Sequence, residues 1–236
     1  MRGNEGKSRG GWIGTAAALA FMLFCITGVV RWIAGDAAGM AAAMRKFAPP
    51  DYTGLPEAEY DGVTEMLTGY LTGKRESFQY TWQGLQGETL LAFHDYEAAH
   101  MADCRSLIRL DEALSVFCLV LWPALTVRMG IRARKNGRSV WISFFRGGEA
   151  GFWVLSGILA LLLLWACMDF DSLFLLFHRI AFRNDLWLLD PRTDLLIRLM
   201  PEGLFVFLGI RGGIAAGAGI LFAGILLAVG RRLAER

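Results

Sequence analysis

Residues 150–168 read AGFWVLSGILALLLLWACM, nineteen positions without a charge or a proline. A helix rises about 1.5 Å per residue and a bilayer's hydrocarbon core is about 30 Å thick, so about 20 mostly apolar residues cross it. This stretch predicts a membrane-spanning helix. Three more segments qualify: 12–34, uncharged until Arg31; 113–130, charge-free as far as Val127; and 203–229, interrupted once by Arg211. The whole chain agrees, since 55% of its 236 residues are hydrophobic and only 19% are charged, too few for an ordinary water-soluble protein. The expected fold class is an all-α membrane protein: four transmembrane helices with a small extracytoplasmic α+β cap, in a single membrane domain over residues 1–236.

Several classes drop out early. Cys25, Cys104, Cys118 and Cys167 have neither C-x-x-C nor Cys/His spacing, and three of them lie in apolar runs where they read as small hydrophobes, so a disulfide framework is excluded. The first span follows Arg2, Lys7 and Arg9 as a secretory signal would. Its apolar stretch exceeds the usual signal core of roughly 7–15 residues, and it reads as a retained anchor.

Lysine and arginine orient the chain, because cationic loops resist transfer across an energised membrane. The amino terminus, the loop at 128–149 and the carboxyl tail hold twelve basic and three acidic residues, whereas 36–112 and 169–203 hold ten basic and nineteen acidic. Both termini and the 131–149 loop are therefore expected in the cytoplasm of a multi-pass cell-membrane protein, with 36–112 and 169–203 as outer cap segments.

The first outer segment is too long for a mere connection. Pro56, Glu57 and Glu59 followed by Val63, Met66, Leu67 and Tyr70 at helical spacing predict an amphipathic helix from Leu55 to Gly73. The runs 78–82 and 89–93, parted by Gly84 and Gly87, read as a hairpin. In the second outer segment, Asp190 before Pro191 reads as a helix start that Pro201 ends. The run Gly209, Gly213, Gly217 reads as a close helix-packing face.

All three histidines, His94, His100 and His178, fall in the outer segments. Imidazole is the side chain best suited to moving protons near neutrality. His100 and Asp103 are three apart and share a helix face. His178 stands between the apolar runs 173–177 and 180–182, at the membrane surface; it reads either as an active imidazole or as an interfacial one bonded to backbone. His94 beside Asp95 reads as a surface pair. No H-E-x-x-H or comparable ligand spacing occurs, so no metal or other cofactor is expected. Arg211, costly in lipid unless it snorkels or meets a polar cavity, is a functional candidate.

The string His100-Met101-Ala102-Asp103, the run from Phe177 through His178-Arg179-Ile180-Ala181-Phe182-Arg183-Asn184-Asp185-Leu186 to Trp187, and the later Asp190-Pro191, Asp194-Leu195-Leu196-Ile197 and Pro201-Glu202 resemble a bacterial four-span membrane family that includes the lipoprotein intramolecular transacylases. The likeness in order and layout covers most of the chain. It implies an enzyme, a membrane acyltransferase that moves an acyl chain from the diacylglyceryl group of a lipoprotein to the amino terminus of the same lipidated cysteine at the outer leaflet. Its partners would be the diacylated lipoprotein and membrane lipid, with no nucleic acid.

By the same resemblance His178 matches a motif histidine and is the choice for general base, while His100 and Asp103 orient it, shape the pocket or bind the substrate's amino end. Beyond the carry-over, Asn184 is a candidate carbonyl or oxyanion donor, Asp185 its supporting partner, Trp187 an interfacial anchor or pocket wall, and Arg211 a further supporting residue. Span one has no tyrosine, the first being Tyr52, so it has no phenol to contribute. The alternative is a noncatalytic membrane sensor or partner-binding protein with an outward-facing cap; a transporter subunit ranks third, since no paired broken helices mark a route. Convergence of His100 and His178 separates the first two.

Overall fold

The computed structural model describes residues 2–84 and 87–236, with side chains from Gly10 onward. The side chains of Arg2, Lys7 and Arg9, counted in the basic tally, and the centre of the hairpin turn lie outside the described residues. The chain is helical nearly throughout, with one two-stranded antiparallel sheet. Its helices are α1 (Arg2–Gly35), α2 (Ala37–Phe47), α3 (Pro50–Thr53), α4 (Tyr60–Leu71), α5 (Asp95–Asn136), α6 (Ser139–Met168), α7 (Phe170–Ala181), α8 (Leu195–Leu199) and α9 (Glu202–Glu235), with strands β1 (Thr81–Gln83) and β2 (Thr89–Leu91) between α4 and α5. Among the described residues, four helices are long and apolar enough to cross a membrane: α1 from Gly10, α5, α6 and α9. This is the all-α membrane architecture with a small sheet that the apolar runs predict.

Two compact units divide the chain. The first comprises residues 1–28, 112–173 and 214–236. Its apolar side chains point largely outward, as with Trp153 (71% exposed) and Leu163 (64%) on α6, the pattern of a helix bathed in lipid. What holds α1 to α6 is backbone proximity. A Cβ on Gly14 would overlap the Phe144 carbonyl, and one on Gly147 would overlap that of Gly11; Thr15 Oγ1 also donates to Gly147 O at 2.8 Å. Small residues at such crossings let helices pack without a hydrophobic driving force. The expected glycine face is a correction: Cβ atoms on Gly209, Gly213 and Gly217 would each meet open space. Arg231 pairs with Glu149 at 2.7 Å.

The second unit comprises residues 29–111 and 174–213. Val63, Met66, Leu67 and Tyr70 of α4 form a fully or nearly fully buried stripe, packed with Met40 and Met44 of α2, Phe78, Phe93, Met101 and Leu199. The helix expected from Leu55 begins instead with a 3-10 turn at Glu57–Glu59, and α4 proper opens at Tyr60; Gly73, at φ 78°, takes the left-handed turn that ends it. The hairpin pairs Thr81 with Leu91 and Trp82 with Leu90. It is shorter than the sequence runs because Phe78 and Phe93 leave the ladder to pack in the core, their rings tilted at 43° with centroids 4.7 Å apart.

The helix expected from Asp190 starts five residues later, at Leu195. Asp190 does receive a backbone amide, that of Arg192 at 2.9 Å, but within a turn, and its carboxylate also takes the Arg192 guanidinium at 2.7 Å. The first helical amides of α8 are held from elsewhere: Leu196 N–H donates to Glu97 Oε1 at 2.8 Å.

Candidate active site

α5 is 42 residues long, about 63 Å at a rise of about 1.5 Å per residue and about twice a bilayer core. Its charge-free stretch begins only at Ala113, so the first turns, which carry His100, Asp103 and Cys104, precede the membrane-crossing part. His178 sits near the end of α7. These side chains, 78 positions apart for the two histidines, come together in the second unit: the His100 and His178 rings have centroids 6.1 Å apart.

His178 is 8% exposed. Its Nδ1–H donates to the Phe174 carbonyl at 2.8 Å, one helical turn back, which fixes the tautomer and leaves Nε2 as the ring's acceptor. Aromatic rings enclose it: Phe174 at 3.9 Å, Trp187 at 5.1 Å, Phe177 at 5.3 Å and Phe182 at 5.4 Å between centroids. Burial lowers its pKa below the ordinary 6.5, and the bond to Phe174 opposes this only in part.

His100 is 7% exposed and meets Phe182 edge-on at 5.0 Å. Burial, then the neighbouring His178, lowers its pKa to about 4, against the pull of Asp103. Its Nε2 lies 3.5 Å from Cys104 Sγ. Both imidazoles are thus neutral at pH 7, as low-dielectric surroundings dictate for bases without a buried counter-charge.

Asn184 Nδ2 donates to Asp103 Oδ2 at 2.8 Å, tying the segment after α7 to α5. Its own carbonyl accepts Leu186 N–H at 3.1 Å, so the amide is oriented at both ends. Asp185 is exposed, and its backbone carbonyl accepts Leu188 N–H at 3.0 Å. Trp187 forms one wall of the His178 enclosure. Arg211 is elsewhere in the unit: it pairs with Asp36 at 2.8 Å and covers the Trp32 ring at 4.9 Å. Asp36 in turn caps α2 by accepting Gly39 N–H at 2.9 Å, so Arg211 braces a helix start.

His94 finds Glu97 rather than Asp95. Its Nδ1 is 2.9 Å from Glu97 Oε2, which also accepts the His94 backbone N–H at 2.8 Å. With Asp194 these residues place potential metal-ligating atoms within 4.8 Å of one another. The oxygens already have partners: Asp194 Oδ1 accepts Tyr96 Oη–H at 2.5 Å and Thr193 Oγ1–H at 2.7 Å, and Oδ2 accepts Asp190 N–H at 2.8 Å. The cluster is a hydrogen-bonded clamp between the start of α5 and the α8 segment. Sequence reasoning assigns no role to Glu97, Tyr96, Cys104 or Phe174, and shows Asp194 and Phe182 only as members of the motifs that carry the resemblance. Two signals were present: a carboxylate three residues after His94 has capping-box spacing, and Cys104 is one helical turn from His100.

Apolar helices long enough to cross a bilayer define a multi-pass membrane protein, and its second unit holds two imidazoles from distant segments in one aromatic enclosure. The model of the lipoprotein intramolecular transacylase Lit family matches residues 15–205, and the chain belongs to that family. The membrane-integral lipoprotein intramolecular transacylase Lit from Bacillus cereus has a solved structure that matches with a TM-score of 0.65 at 17% identity, over 98% of this chain and 99% of that one. A variant of it with a histidine replaced by alanine gives 0.60 at 15% identity, over 99% and 95%. At these identities the likeness is one of fold. No curated protein sequence matches the chain.

Proposed function

We propose that this chain moves the middle-position acyl chain of a diacylglyceryl-modified lipoprotein onto the amino group of the same lipidated cysteine, leaving an N-acylated lyso product at the outer leaflet. The observation that carries this reading is the convergence of His100 and His178, with ring centroids 6.1 Å apart inside an aromatic enclosure, in a member of the transacylase family. Histidines separated on a solvated surface would have favoured the sensor reading.

In this mechanism His178 is the general base. The substrate nitrogen bonds to the ester carbonyl carbon, and the carbon–oxygen bond to the glyceryl group breaks. The proton released from nitrogen passes to His178 Nε2 and from there to the departing oxygen, so atoms and protons balance without water or a cofactor. A weakly basic imidazole suits both halves of this transfer, being neutral when the amine attacks and ready to return the proton afterwards. Donor and acceptor groups belong to one molecule, which favours transfer over a two-body encounter. The Phe174, Phe177, Phe182 and Trp187 walls keep out the water that would hydrolyse the ester.

His100 and Asp103 hold the amino end of the substrate. Asn184 gives one N–H to Asp103, and its second N–H is the donor for the carbonyl oxygen as charge develops there; Asp185 supports that turn. Arg211 contributes by bracing α2 through Asp36. The charge asymmetry of the loops supports cytoplasmic termini, outer segments at 36–112 and 169–203, and access of substrate from membrane lipid.

The test is expression in a host whose lipoproteins are diacylated, followed by mass spectrometry of the lipopeptide amino terminus. N-acylated lyso species are the expected result. Free amino termini in the presence of correctly produced protein would overturn the reading, and full activity of His178→Ala would overturn the assignment of the base.

A further inference from the structure

Of the two imidazoles in the enclosure, His100 carries a buried nitrogen that the bonds within the site leave unaccounted for. His100 Nδ1 has no hydrogen-bond partner among the described residues, although its ring is 7% exposed. Buried polar atoms of folded proteins are nearly always bonded, and an exception calls for an account. Its other nitrogen, Nε2, is 3.5 Å from Cys104 Sγ. Residues 100 and 104 are one turn apart on α5, so the helix itself delivers the sulfur to the ring.

We infer that Cys104 is a positioning residue for the transfer: its sulfur receives the Nε2–H of His100 and thereby leaves the Nδ1 lone pair as the nitrogen that meets the substrate's amino group. This deepens, and rests on, the transacylase reading. Two neutral tautomers are available to the ring. If the thiol donated to Nε2, the proton would sit on Nδ1 as a buried N–H with no acceptor, the rarest kind of orphan in folded proteins. If Nε2–H donates to sulfur, the orphan is a lone pair, which is tolerated better. A bare lone pair is also the complement of an amine or ammonium N–H.

The sulfur is suited to this place. Burial, then the Asp103 carboxylate, pushes the Cys104 thiol up to about 12, so it stays neutral and puts no anion beside the imidazole. A carboxylate there would hold the ring protonated; a thiol, a weak acceptor, orients it without raising its basicity. With His178 Nε2 as the second acceptor, the enclosure offers two unprotonated ring nitrogens to one substrate nitrogen. The titratable groups around the His100 ring are His178, Asp103 and Cys104.

The full chain has three histidines, so nitrogen-15 histidine labelling in lipid nanodiscs gives a readable NMR spectrum of ring nitrogens. The expected wild-type spectrum shows His100 with protonated Nε2 and bare Nδ1. Cys104→Ala should mix the tautomers and lower kcat/KM about tenfold, whereas Cys104→Ser, whose hydroxyl also accepts a hydrogen bond, should restore both. The His178 signals, fixed by Phe174, report that each variant is folded. A wild-type His100 protonated on Nδ1, or a Cys104→Ala variant with unchanged ring signals, would overturn the inference. The ring signals need no turnover, so an inactive wild type with the expected tautomer would refute the transacylase reading alone.

Discussion

Glu97 is the residue whose removal should disturb the site most without touching it. Its side chain is fully buried, and its two oxygens accept Leu196 N–H at 2.8 Å, His94 N–H at 2.8 Å and the His94 ring at 2.9 Å. In Glu97→Ala two backbone donors lose their acceptor. Each buried unsatisfied group costs about 1–3 kcal/mol, so the variant should lose about 4 kcal/mol. By the scaling for domains of this size that lowers Tm by about 10 °C. Glu97→Gln keeps the shape and one acceptor but turns an amide N–H towards a backbone N–H, and about half the loss is expected. His94→Ala is the control, because the His94 side chain is 55% exposed and such partners contribute at most about 1 kcal/mol. Thermal unfolding in detergent checks the series. The order Ala, then Gln, then His94→Ala is the expected result. A Glu97→Ala variant melting within about 2 °C of wild type would refute the view that this carboxyl clamps the start of α5, where His100 and Asp103 stand, to α8.

Three further outcomes follow from the geometry. Asn184→Ala and Asp103→Ala each remove the same 2.8 Å bond together with that residue's own proposed contact to substrate, so each should lower kcat about a hundredfold while Tm stays within about 2 °C; because the bond is shared, the double variant should lose less than the product of the two single losses, and strictly multiplicative losses would break the pairing. Both buried imidazoles have pKa values below the ordinary 6.5, that of His100 at about 4, so the unfolded chain binds more protons than the folded one over that window. Stability should therefore be full above pH 6.5 and fall as pH drops towards about 4, by about 3 kcal/mol for His100, and the rate should persist below pH 6.5; a stability that rises on acidification over this range would contradict the burial of both rings. Gly14→Ala, which drives a methyl into the Phe144 carbonyl, should lose about 2 kcal/mol, whereas Gly217→Ala, with open space around it, should be neutral or gain up to about 1 kcal/mol in helix propensity.

What the sequence discloses and what it withholds divide along the range of the forces involved. Spanning helices depend on composition over about 20 consecutive residues, so 150–168 announces itself, and the buried stripe Val63, Met66, Leu67, Tyr70 follows from a 3.6-residue period. The histidine pair is legible as two suspicious residues, because an imidazole between apolar runs breaks a local pattern. The partners that give those imidazoles their chemistry are not legible in the same way. Asp190-Pro191 looks like a helix start by every local rule, yet the helix begins at Leu195, where the decisive acceptor is Glu97, 99 positions earlier. The glycine run at 209, 213 and 217 has the spacing of a packing face, yet among the described residues nothing lies within contact of a Cβ built on any of the three, while the pairs Gly10/Gly14 and Gly147/Gly151, with the same four-residue spacing, do bring two backbones together; spacing alone does not say which face meets a partner.

The same division explains how the site can hold two neutral imidazoles. Neutrality requires that no acid be bonded to either ring, and the local bonds meet this: a carbonyl for His178 and a thiol for His100, each from one turn away on its own helix. Carboxylates do the long-range work at other places, Asp103 on Asn184 and Glu97 on Leu196. Exchanging the roles would undo both. An Asp at position 104 would raise the His100 pKa and protonate it near neutrality, removing an acceptor from the amine, whereas a thiol at position 97 would hold one backbone donor weakly and orphan the other. Keeping carboxylates from bonding directly to either ring, Asp103 being turned to Asn184 instead, is therefore as much a part of the proposed chemistry as the histidines themselves.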